Sequence, residues 1–257
     1  MESVNNLPGH EVISRILEEL ALMVAPGVKT IEIDKHAEEL IDKYGVKSSN
    51  KGYCPSWSPT PYPASTCIGV NSTIAHGIPG EYELREGDIV SIDLAIVDSL
   101  GNCADAALTV PVGEVSRAKA LLLHHAYRTM MIGVGLLKPG VNTETIAREM
   151  TTYAWTRGYR INRKFSGHAI GKEVHQKPNI YNTQEKEHTY ALIQEGQVFC
   201  VEPMLTTGRD DIGVVDSSGW THRTADGAPS AFFEVMAKVT AGEPEILTNH
   251  IKSPPTY

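Results

Sequence analysis

Apolar residues Val12, Ile13, Ile16, Leu17, Leu20 and Val24 recur three and four positions apart, which places them on one face of an α-helix. Pro26-Gly27 closes that pattern, and Thr30 is positioned to cap a second helix reaching about Lys43, before Tyr44-Gly45. The order then repeats. A helical pattern covers residues 117–137, and another runs over 143–157 until Gly158 stops it. Runs of apolar and β-branched residues predict strands at 89–97, 106–112, 197–204 and 231–240. Residues 48–63 hold four prolines and are expected to form an irregular loop.

The repetition extends to particular residues. Pro26-Gly27-Val28-Lys29-Thr30 with Ile33 returns as Pro139-Gly140-Val141-Asn142-Thr143 with Ile146, an offset of 113. Glu86-Gly87-Asp88-Ile89-Val90-Ser91-Ile92-Asp93 returns as Glu195-Gly196-Gln197-Val198-Phe199-Cys200-Val201-Glu202, an offset of 109. Between them, His76-Gly77-Ile78-Pro79 parallels His175-Gln176-Lys177-Pro178. Two copies are too few for a solenoid. They imply two similar lobes, roughly 10–113 and 117–248, packed face to face in one domain spanning 1–257 with a site between them.

Composition narrows the partners. Hydrophobic and charged shares of 41% and 21% are those of an ordinary globular chain, and a net charge of −8 argues against nucleic acid or an anionic membrane. The first twenty residues carry Glu2, Glu11, Glu18 and Glu19 where a secretory signal would be basic and then apolar, and no apolar run approaches membrane-spanning length. Cys54, Cys67, Cys103 and Cys200 show no paired spacing, so a disulfide framework or zinc–thiolate site is not expected; a reducing cytoplasm fits. Cys200, inside an apolar run, reads as a buried reduced thiol.

The chemistry lies in carboxylates set among apolar residues. Asp93 interrupts the 89–97 run, Asp105 precedes the next strand, and Glu202 and Glu234 sit within the last two. A carboxylate buried without a partner costs several kcal/mol or keeps its proton. One such residue could be excused by an arginine, but four at corresponding places in two repeated halves point to a shared cation. His168, in Ser166-Gly167-His168-Ala169-Ile170-Gly171, is a fifth candidate ligand, brought close by flanking glycines. Four carboxylates and an imidazole suit two divalent ions of hard or borderline character, such as cobalt, manganese or iron, with zinc also able to bind.

These segments resemble type I methionine aminopeptidases. The resemblance is carried by Tyr62-Pro63-Ala64-Ser65-Thr66-Cys67-Ile68-Gly69-Val70-Asn71, His76-Gly77-Ile78-Pro79, Gly87 through Asp93, Ser166 through Gly171 with His175, Val201-Glu202-Pro203-Met204, and Gly219-Trp220-Thr221 ahead of Glu234. It implies an α+β, pseudo-symmetric pita-bread fold, a curved antiparallel sheet backed by helices around a dinuclear centre. It implies that Asp93 chelates one metal, Asp105 and Glu234 bridge both, and His168 and Glu202 complete the second. Glu202 would also shuttle a proton, His175 would donate to the developing oxyanion, and His76 would hold the next amide. Tyr62, Cys67, His76, His175 and Trp220 would bind the substrate methionine.

The implied reaction removes the initiator methionine from nascent or newly made polypeptides with a small second residue, by a cytoplasmic monomer that could work at the ribosome. Rival readings are a related peptidase cutting before proline, which shares the ligands, and a non-catalytic binding protein on the same fold. The chain departs from the family's pattern at Val235, where a histidine is usual, at Phe232 for a glutamine, at Ala169 for a glycine and at Val174 for an aromatic. The loop with Tyr53, Cys54 and Trp57 also departs from it. No departure removes a ligand. The pocket is therefore expected to be wider or reshaped, unless Tyr53 or Trp57 fills the space.

Overall fold

The computed structural model describes residues 7–210 and 212–252. Helix α1 (Gly9–Met23) forms on the first apolar stripe and buries Val12, Ile13, Ile16, Leu17 and Leu20. Helix α2 (Thr30–Tyr44) starts otherwise than expected. Its N-cap is Lys29, whose N–H donates to the Glu32 carboxylate at 2.7 Å. The Thr30 hydroxyl is used elsewhere: it donates to the Gly80 carbonyl and accepts from the Gly80 N–H, both at 2.9 Å.

The first half continues with strands β1 (Lys47–Ser48), β2 (Cys67–Val70), β3 (Thr73–Ala75), β4 (Ile89–Val97) and β5 (Cys103–Pro111). The second has helices α3 (Arg117–Gly135) and α4 (Thr143–Thr156), capped by Ser116 and Asn142. Strands β6 (Arg160–Ile161), β7 (Ser166–Ala169), β8 (Gln176–Tyr181), β9 (Val198–Val201) and β10 (Leu205–Thr206) follow. The last are β11 (Ile212–Val215), β12 (His222–Thr224), β13 (Ser230–Ala231), β14 (Val235–Lys238) and β15 (Glu245–Ile246).

Strand β4 pairs antiparallel with β5 along one edge and with β1 and β2 along the other. The second half forms a sheet in the order β15-β14-β9-β7-β8. The two sheets meet where Ala107 of β5 bridges Glu234, with Glu234 N–H donating to the Ala107 carbonyl at 2.9 Å. Helix α1 lies on β4 and β5, while α3 and α4 pack together behind the second sheet. One apolar cluster runs through both halves. No helix among the described residues is long and apolar enough to cross a membrane.

The sequence repeat reappears in hydrogen bonding. Gly27 N–H donates to Leu84 O at 2.8 Å, and Gly140 N–H to Ile193 O at 2.9 Å; Gly87 to Val112 and Gly196 to Val239 match in the same way. All four glycines have φ between 82° and 93°, where a side chain would be strained. The strand ends differ from expectation at the carboxylates. β5 begins at Cys103, so Asp105 lies inside it rather than before it. β9 ends at Val201, placing Glu202 just beyond, ahead of Pro203, which has no N–H for a ladder. The 231–240 run breaks between β13 and β14, where Phe232 uses the Thr109 hydroxyl instead of a strand partner: its N–H donates to that oxygen and its carbonyl accepts from it.

Candidate metal centre and adjoining pocket

Strand register puts the carboxylates on one face. Asp93 lies opposite Ala107, Ala107 is two residues from Asp105 and pairs with Glu234, and His168 lies opposite Cys200. Because alternate residues share a face, these side chains converge although their sequence positions span both halves. Ligand atoms of Asp105, His168, Cys200 and Glu234 all lie within 4.8 Å of one another. His168 Nε2 is 3.6 Å from Glu202 Oε1 and 3.7 Å from Asp105 Oδ2. Asp93, Asp105, His168, Glu202 and Glu234 line one cavity of about 770 Å³, which His76 and His175 also border.

The electrostatics of this cluster leave two ways to neutral charge, retained protons or a bound cation. Burial pushes Asp93 up to about 7, and it pushes Asp105, Glu202 and Glu234 well above the carboxylate range, with mutual repulsion adding to the effect. Among the described residues no lysine or arginine pairs with any of the four. Glu234 Oε1 is buried with no hydrogen-bond partner. His168 is held at about 4 by burial and by His175, so its ring is neutral at physiological pH. Its Nδ1 donates to the Ala169 carbonyl at 3.2 Å, which leaves the Nε2 lone pair facing the carboxylates. An orphaned carboxylate oxygen, unpaired acids and an available imidazole are what a divalent cation site offers. The Cys200 thiol is fully buried, and its pKa is raised by that burial and then by Glu234, so it stays protonated beside this set.

His76 has a left-handed backbone, φ 53°, that turns it between the rings of Trp57, Phe165, Trp220 and His222, at 5.4–6.0 Å. Burial, then His222 and His175, lowers it to about 3, and it is neutral. His175 presents its ring to the open cavity 4.5 Å from the His168 ring, and burial of its inner side lowers its pKa.

A smaller chamber of about 90 Å³ adjoins the cluster and shares Asp93, Asp105, His76 and His175 with the larger cavity. Tyr62, Cys67 and Trp220 line it as the sequence suggested. The Tyr62 hydroxyl donates to the Gly77 carbonyl at 2.8 Å, and Trp220 Nε1 donates to Thr60 O at 2.9 Å. Buried Asp34 accepts from the N–H groups of Ser65 and Thr66 and from the Thr66 hydroxyl, holding the segment that ends in Cys67. Tyr53, named from the sequence with Trp57 as able to fill the space at Val174, lines this chamber; sequence reading missed Ser49 and Asn50 there, His222 beside His76, and Cys200 as a neighbour of the acids. Only Cys200 carried a usable signal: two residues before Glu202, it falls on the same strand face.

Comparisons with known proteins bear on the family and the fold. The model of metallopeptidase family M24 matches residues 9–241. A methionine aminopeptidase of Clostridium perfringens is 36% identical over 238 residues, covering 93% of this chain and 92% of its own. One of Aquifex aeolicus is 33% identical over 241 residues, with the same coverage. The crystal structure of methionine aminopeptidase from Rickettsia prowazekii superposes with a TM-score of 0.87 at 29% identity, covering 94% of each chain, and the pita-bread fold is common to both. The chain belongs to metallopeptidase family M24.

Proposed function

We propose that the chain is a single-domain aminopeptidase that removes an N-terminal methionine from polypeptides with a small second residue. The observation that carries this reading is the small, largely apolar chamber opening directly onto the carboxylate cluster. It can hold one side chain while the bond behind it lies at the acids. The names of the relatives support methionine as that side chain.

In this reading Asp93, Asp105, His168, Glu202 and Glu234 would together hold two divalent ions. Cobalt, manganese or iron suits the donor set. When bound, the ions supply the charge that lets water lose a proton near neutral pH and that polarises the scissile carbonyl. Glu202 would take a proton from the attacking water and pass it toward the leaving amine. Neutral His175 donates an N–H to the carbonyl oxygen as charge grows there. His76, fixed among aromatic rings, orients the amide beyond the scissile bond. The chamber walls exclude water from the side chain.

Protein supplemented separately with Co²⁺, Mn²⁺ and Fe²⁺ should release methionine from Met-Ala-Ser faster than leucine from Leu-Ala-Ser, and should leave Ala-Pro peptides nearly intact. Preference for Ala-Pro would refute the methionine reading while retaining the metal chemistry.

A further inference from the structure

The smaller chamber accounts for one side chain, so the rest of a substrate must leave through the larger cavity. Two residues bordering that cavity have no part in the chemistry above. His222 of β12 lies opposite Ala75 of β3, with a bulge between His222 and Arg223, and this pairing sets its ring beside the residue after Ala75, His76. The two rings are 5.6 Å apart at 74°, and Phe165 packs against His222 at 5.2 Å. His222 is only 4% exposed, yet its Nδ1 has no hydrogen-bond partner, and the residue lines the cavity. Burial and then the Lys164 charge lower its pKa, so the ring is neutral and offers one N–H and one lone pair. A buried polar atom without a partner is costly, and here it points to a group supplied by a ligand.

Lys164 is exposed and borders the same cavity, with its own N–H held by Asn162 Oδ1 at 2.9 Å. It is the only lysine or arginine among the described residues lining that cavity. Arg163 takes Asp210 and Glu185, at 3.2 and 3.6 Å, and Asp216 is bonded by the N–H and hydroxyl of Ser218. Among the described residues, no acid is left to pair with the Lys164 ammonium.

We propose that this end of the larger cavity is a carboxylate subsite for the third residue of the substrate, in which Lys164 supplies the charge and His222 an N–H. The inference rests on the aminopeptidase reading above, in which His76 orients the amide after the scissile bond. An extended peptide advances about 3.3–3.6 Å per residue, so a chain running past His76 meets His222, 5.6 Å away, one to two residues later. The carboxylate is either the C-terminus of a tripeptide or an acidic side chain at the third position; the chemistry recognised is the same.

The test compares Met-Ala-Ser, its C-terminal amide, and the C-terminal amide of Met-Ala-Asp on the metal-supplemented chain. Relative to the Met-Ala-Ser amide, a carboxylate should lower KM by about tenfold: in Met-Ala-Ser if the terminal group fits, in the Met-Ala-Asp amide if the side chain does. Lys164→Ala should erase that advantage and Lys164→Arg should keep it, and raised salt should shrink it in the wild type. His222→Phe, which keeps a ring and removes its nitrogens, should erase most of it through KM. Lys164 is exposed, so its variants keep the test open even where His222→Phe perturbs folding, which circular dichroism would reveal. Equal KM for all three peptides would overturn the inference, as would a carboxylate advantage that survives Lys164→Ala. A wild-type chain that releases methionine from none of them would instead defeat the aminopeptidase reading on which it rests.

Discussion

In the metal-free protein the four buried acids should contribute stability that is lost as pH rises toward neutrality. Asp93 is pushed from 3.8 up to about 7 by burial, and Asp105, Glu202 and Glu234 are raised further. Unfolding returns each to the ordinary carboxylate range. Between roughly pH 4 and pH 7 these acids therefore bind more protons in the folded, metal-free chain than in the unfolded one, and their contribution to stability declines through that window. For Asp93 alone, the gap between 3.8 and about 7 corresponds to about 4 kcal/mol, present below pH 4 and gone above pH 7. Asp93 is only partly buried, so solvent reduces that figure and about 4 kcal/mol is its ceiling.

A divalent cation needs these acids ionised and must displace their protons. His168, held at about 4, contributes none above roughly pH 5. The lowered pKa values of His76 and His250 act in the opposite direction on stability, but cancel when metal-loaded and stripped protein are compared. Mn²⁺ affinity should then rise about tenfold per pH unit for each proton displaced between roughly pH 5 and pH 7. Calorimetric titration in buffers of different ionisation enthalpy measures the protons directly. The melting-temperature gap between loaded and stripped protein should widen over the same interval. No proton release, together with a gap that does not change with pH, would show that the acids are already ionised and partnered without metal.

Two further outcomes test the site and its frame. His175→Ala should lower kcat by about 10²–10³-fold with metal content unchanged by elemental analysis, and His76→Ala should lose less; loss of metal from either would make that residue a structural support instead. In Gly167→Ala the new Cβ would lie 2.2 Å from the Cys200 carbonyl oxygen, so urea unfolding should show a loss of at least about 2–3 kcal/mol, and an unchanged midpoint would contradict that packing.

The legible parts of the fold were those whose signal is local. The α1 stripe and the 89–97 run declare themselves over a few residues, and an acid inside an apolar strand is visible without knowing its partner. Strands β2, β7 and β8 were not expected, because they contain glycine, histidine, asparagine and proline. They form because β4 offers a ladder to β2, β9 to β7 and β7 in turn to β8, a tertiary effect that overrides propensity. Thr30 misled for the same reason: capping preference is local, while Gly80, fifty residues away, claims its hydroxyl. The convergence of Asp93 with Asp105 depends on the pairing of Asp93 with Ala107, which no linear pattern states. Tyr53 and Trp57 belong to a proline-rich loop without periodicity, so only coordinates show them closing the cavities.

The seam between the halves explains how four acids can be brought together. Asp105 belongs to the first half and Glu234 to the second, and their approach is opposed by desolvation and like charge. Main-chain pairing of Ala107 with Glu234 holds the seam directly behind them. His250 Nε2–H donates to the same Ala107 carbonyl at 3.0 Å, and the Thr109 hydroxyl, itself 2.8 Å from Ser91 Oγ, bonds both backbone groups of Phe232. Each such bond contributes about 0.5–1.5 kcal/mol net, and together they offset part of the repulsion. A cation bound only by the native arrangement stabilises it further in proportion to its affinity. Because the acids it would neutralise in the proposed function come from both halves, the same ion that would activate water would also draw the seam closed, tying catalytic competence and the docking of the halves to one charge balance.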